Sequence, residues 1–85
     1  MAERTADEVA QIFATAGDSV TLINGNKRSD QNDADWKGDL ERNVEHLETI
    51  KAYKKEDGST SIWTSESFTA IDAAVTSGKS KIAAL

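Results

Sequence analysis

Apolar and polar positions alternate at helical spacing over most of the chain. From Asp33 to Lys55 the large apolar residues are Trp36, Leu40, Val44, Leu47, Ile50 and Tyr53. Steps of three and four residues put them on one face of a helix. Asn32, Asp33 and Asp35 stand where an N-cap and the positive end of the helix dipole favour them, and Lys51, Lys54 and Lys55 stand at the opposite end. Asp33 and Lys37 form an i,i+4 pair. Gly38 interrupts this helix at a cost of about 1 kcal/mol relative to alanine, which suggests a close approach of another segment beside Trp36. Nearer the N-terminus, Thr5-Ala-Asp-Glu8 is a capping-box sequence. Val9, Ile12, Phe13 and Ala16 follow at helical spacing, and Gly17 supplies a stop, predicting a helix over 5–16 that lies across the long one.

Residues 18–25 are two-sided. The β-branched Val20, Thr21 and Ile23 favour a strand, whereas Asp18 and Gly25 bracket a short helix at 19–24, the reading preferred. Residues 24–32 are polar and turn-rich, a loop in which Lys27 and Arg28 are solvated. Around Asp57-Gly58 two outcomes compete. The long helix can continue to Lys55, which is preferred, or a hairpin can pair Tyr53 with Ile62. Thr64 caps a last helix with Trp63 and Phe68 placed as a hydrophobic staple. Its stripe is Phe68, Ile71, Ala74 and Val75, and Gly78 ends it. The expected core joins Trp36, Leu40, Val44, Leu47 and Ile50 to Ile12, Phe13, Phe68, Ile71 and Val75. The expected fold is mainly α: one small domain, 1–85, of three to four helices. A β-hairpin near 52–63 stays open, and a C-terminal tail spans 79–85.

Composition narrows the chemistry. With 85 residues and no cysteine, neither a disulfide nor a thiolate metal site is available. No apolar run is long enough to cross a membrane, and the first residues do not read as a signal peptide, so a cytoplasmic origin is expected. A net charge of −5 disfavours nucleic acid and anionic lipid as partners, and instead serves solubility or offers an acidic face to a basic protein. His46, the one histidine, lies among Arg42, Glu45 and Thr49 and reads as solvated, with no oriented partner for base catalysis. Asp30–Asp35 lacks the glycine and the bidentate glutamate of a calcium loop. The glycine at 25 does not form a phosphate-binding loop, and the aromatic residues read as core and not as base-stacking platforms. No catalytic, metal or cofactor-binding residue is therefore expected.

Arg42-Asn-Val-Glu-His-Leu-Glu48 and the stretch from Trp63 to Lys79 resemble a group of small uncharacterised proteins of tailed, especially marine, bacteriophages. The similarity covers about the C-terminal half, through helix-surface and cap residues. It implies a non-enzymatic minor virion component, one that decorates the capsid or joins head to tail. A helix–hairpin–helix over 33–77 is also similar in outline to head-completion proteins. The implied partners are other virion proteins or copies of the chain itself in an oligomeric assembly, with the virion as location. A small acidic cytoplasmic regulator that blocks a basic host or nucleic-acid-binding protein is the alternative. The segment nominated for docking is the tail, through Lys79, Lys81, Ile82 and Leu85. Next in order come the outer face of 5–16 and the loop at 24–32.

Overall fold

The computed structural model describes residues 5–54 and 60–85. Three helices, α1 (Ala6–Asn24), α2 (Asp33–Ile50) and α3 (Ser65–Ala83), pack against one another in all three pairings. Each begins at the residue its cap chemistry selects. Thr5 Oγ1 accepts from the Glu8 N–H at 3.2 Å while the Thr5 N–H donates to Glu8 Oε1 at 3.0 Å. Asn32 Oδ1 accepts from the Asp35 N–H at 2.8 Å. At α3 the Ser67 N–H donates to Thr64 Oγ1 at 3.1 Å, and Ser67 Oγ accepts from the Thr64 N–H at 2.9 Å. These bonds satisfy backbone donors that every helix start leaves free.

The helix ends depart from the sequence reading. Gly17 does not stop α1, which runs on through 18–24 as one helix, so this stretch is neither a strand nor a separate short helix. The reason lies in the stripe: Val9, Ile12, Ala16, Ser19 and Ile23 recur at steps of three and four, and Ile23 is fully buried. Burying Ile23 outweighs the roughly 1 kcal/mol that one exposed helical glycine costs. Gly78 does not stop α3 either; that helix reaches Ala83, and the expected tail is largely its last turns. Conversely, α2 ends at Ile50 instead of continuing toward Lys55, which lies outside the described residues. Beyond it the backbone forms one isolated antiparallel bridge, Lys54 to Ser61, and the Ile62 N–H donates to Tyr53 O at 3.3 Å. There is no strand among the described residues, and the Asp57-Gly58 turn lies outside them.

Contacts fix the helix directions. Phe13 meets Trp63 ahead of α3, and Lys81 near the end of α3 meets Gly25 at the end of α1, so these two helices run the same way. Lys51 pairs with Asp72 and Lys79 with Glu48, so α2 runs opposite to α3.

The core holds Trp36, Leu40, Val44, Leu47, Ile50, Ile71 and Val75 as expected, and adds Ala16, Ile23, Ile62, Trp63 and Ala74. Ile12 is half-buried. Phe13 and Phe68, expected inside, are 37% and 39% exposed. Trp63 stacks on Phe13, with centroids 4.8 Å apart and rings 13° from parallel, and the Lys51 ammonium lies 5.9 Å from the Phe68 ring centroid. The Trp63 indole N–H donates to Ile50 O at 2.9 Å, which fastens the segment before α3 to the end of α2.

Gly38 is not the site of a close approach. A Cβ there would meet only Arg42 Nη1 of its own helix, at 3.3 Å. The close approach occurs at buried Gly78, where a Cβ would collide with Val44 Cγ2 of α2 and lie 3.3 Å from Ile23 Cγ2 of α1. All three helices meet at this point.

Candidate functional site

The residues nominated for docking are mostly engaged within the chain. Lys81 Nζ donates to Gly25 O at 2.9 Å and to Ile23 O, capping the carbonyl end of α1 with a charge of the favourable sign. Lys79 pairs with Glu48 at 2.8 Å across the α2–α3 seam. Ile82 packs against the core, half-buried. Leu85, 47% exposed, remains outward, and Lys79 is exposed apart from its pairing with Glu48. The segment nominated for docking is therefore mostly the last turns of α3 and not a separate tail. The loop at 25–32 is likewise occupied with itself. Lys27 bonds Asp33 at 2.9 Å, in place of the expected Asp33–Lys37 pair, and Arg28 bonds Asp30 at 3.1 Å. Gln31, buried, accepts from the Arg28 N–H and donates to Asp39, whose other carboxylate oxygen takes Arg42.

His46 is half-buried on α2, not fully solvated. Among the described residues, no three His, Cys, Asp or Glu side chains converge as a metal site, and no helix is long and apolar enough to cross a membrane.

The surface feature with the most distinct chemistry lies between α1 and α3. A groove of about 350 Å³ has Ala16, Trp63 and Ile71 as its floor; Phe13, Gly17, Val20 and Thr21 line it from α1, and Ser67 and Ala70 from α3. No charged residue lines it. It exists because α1 carries two apolar stripes. One, through Val9, Ile12, Ala16 and Ile23, enters the core. The second, Ala6, Ala10, Phe13, Gly17 and Val20, repeats at steps of four and three; its first four residues are exposed, with Phe13 stacked on Trp63, and Val20 packs half-buried against the core. The acidic side chains of α1, Asp7, Glu8 and Asp18, all fall off this second stripe. Reading Phe13 as core and Gly17 as a stop hid it. The spacing alone carried the signal, since an apolar stripe wider than one neighbour can cover leaves a remainder outside. The chain matches no protein-family model, and neither a curated protein nor a solved structure shows significant similarity to it.

Proposed function

We propose that this is a non-enzymatic assembly protein of a tailed-phage virion, one that decorates the capsid or joins head to tail by docking against other subunits. The observation that carries the reading is the uncharged α1–α3 groove with its exposed Phe13, an apolar surface on a strongly acidic chain. Apolar, concave surface of this kind suits protein contacts. The likeness of Arg42–Glu48 and Trp63–Lys79 to small phage proteins supplies the virion context. Mass spectrometry of purified particles of the encoding phage tests it. The chain in fixed stoichiometry with capsid or neck proteins supports the role, and its absence from particles overturns it.

One feature favours a second reading. Glu41 and Glu45 share an exposed face of α2, and acidic surface suits a basic partner. On that reading the chain is a cytoplasmic regulator that blocks a basic protein. Its binding would weaken steeply with salt, whereas docking through the apolar groove would not.

A further inference from the structure

We infer that the Asn24-Gly25 junction is a self-modification site, where asparagine converts to aspartate and isoaspartate when the end of α1 opens, and that Lys81 holds it closed. The inference is independent of the docking surface proposed above.

The chemistry needs an amide side chain, an unhindered nitrogen on the next residue, and water. Among the asparagines at 24, 26, 32 and 43, only Asn24 precedes a glycine. The others are followed by Lys27, Asp33 and Val44, whose side chains crowd the nitrogen. Asn32 Oδ1 is also engaged as the cap of α2, and Asn43 Nδ2 donates to Asp39 O at 2.8 Å. Asn24 is exposed at the last residue of α1, where water reaches it. Hydroxide removes the Gly25 N–H proton, and the nitrogen's electron pair forms a bond to Asn24 Cγ. The Cγ–Nδ2 bond breaks, and Nδ2 takes a proton from water and leaves as ammonia. The five-membered imide then adds one water. Opening at Cγ gives aspartate in the ordinary chain. Opening at the backbone carbonyl gives isoaspartate, with the chain running through Cγ. The balance is one water gained and one ammonia lost, with no oxidant or cofactor.

The folded end of α1 resists these steps. The Gly25 N–H donates to Leu22 O at 3.1 Å, so its proton is engaged. Asn24 is helical, and ring closure needs its backbone to leave that conformation. Lys81, from α3, holds the carbonyls on either side of Asn24, donating to Ile23 O and, at 2.9 Å, to Gly25 O. Helix ends fray unless something ties them down, and here the tie is this ammonium. Either product puts a carboxylate at the negative end of the α1 dipole. Isoaspartate also lengthens the chain by a methylene between the two carbonyls that Lys81 holds. The closed end then cannot re-form as it was, so an opening is recorded permanently. The fold itself does not require glycine at 25: its φ is −84°, and a Cβ there would lie 3.4 Å from the Thr21 and Leu22 carbonyl oxygens, an ordinary contact.

The full chain is incubated in mildly alkaline buffer, native and in denaturing urea, and its products are read by peptide mass mapping and by labelling with an isoaspartyl methyltransferase. In urea, Asn24 should be modified ahead of Asn26, Asn32 and Asn43, and Gly25→Ala should lower its rate to theirs. The native chain should react more slowly by about tenfold or more, the factor that one charge-assisted hydrogen bond contributes to an opening equilibrium. Lys81→Met, verified as folded by circular dichroism, should recover about tenfold in rate. Lys79→Met, which removes an ammonium from the α2–α3 seam only, should react as wild type does. Amide hydrogen exchange of Gly25 in the wild type gives a reading that needs no variant, and it should be slowed relative to the unfolded chain. An unfolded chain with no preference for Asn24, a native rate equal to the unfolded one, an unprotected Gly25 amide, or a folded Lys81→Met variant that reacts at the wild-type rate would each overturn the inference.

Discussion

Gly17 and Gly78 look alike in the sequence, each following an apolar helical run, and they do opposite things. Gly17 faces open space, so Gly17→Ala should raise the unfolding free energy by up to about 1 kcal/mol through helix propensity, measured by urea denaturation at concentrations where the chain is monomeric. Gly78 is where side chains of two other helices press on backbone. Lys81 matters through its head group. Lys81→Met keeps the apolar stem but removes the donors to the Ile23 and Gly25 carbonyls, and should cost about 1–3 kcal/mol in the same assay. A cost near zero would mean that water replaces the ammonium there without loss. The exposed Lys79–Glu48 pair is a weaker matter, with Lys79→Met expected within about 1 kcal/mol of wild type.

The starts of the helices were legible because capping is local chemistry. Thr5, Asn32 and Thr64 each satisfy backbone groups within three residues, and no distant contact competes. Thr64→Ala should therefore cost about 0.5–2 kcal/mol in thermal or urea unfolding. The ends of α1 and α3 were not legible. Whether a glycine stops a helix depends on what the following residues can bury, and Ile23 and Ile82 find partners only in the assembled bundle. The end of α2 failed in the other direction. Tyr53 fits the apolar spacing of the helix, yet its N–H bonds Ile50 O and its carbonyl accepts from Ile62. The Trp63 indole joins the same Ile50 carbonyl, which fixes the turn from 13 residues further along the chain. The candidate site suffered from the same limit. Spacing shows which residues share a stripe, but not which of the two stripes of α1 the other helices will cover.

Taken as a whole molecule, the bundle is thin, with extents of 43 × 21 × 19 Å, and its stability is concentrated in few side chains. Ile23, Leu40 and Leu47, one from α1 and two from α2, are fully enclosed. Leu47→Ala should cost about 2–5 kcal/mol, enough to unfold much of a domain this small. The central structural claim is that α3 runs unbroken through Gly78 and that this glycine is the point where the three helices touch. A double-mutant cycle between Val44→Ala and Gly78→Ala, read by urea unfolding, tests it most directly. Gly78→Ala alone should destabilise by about 1–3 kcal/mol through overpacking. In the Val44→Ala background the new methyl group has room, so that cost should shrink or reverse, with a coupling of about 1 kcal/mol or more. Costs that simply add, to within about 0.5 kcal/mol, would contradict the contact and return Gly78 to the role of an ordinary helix stop.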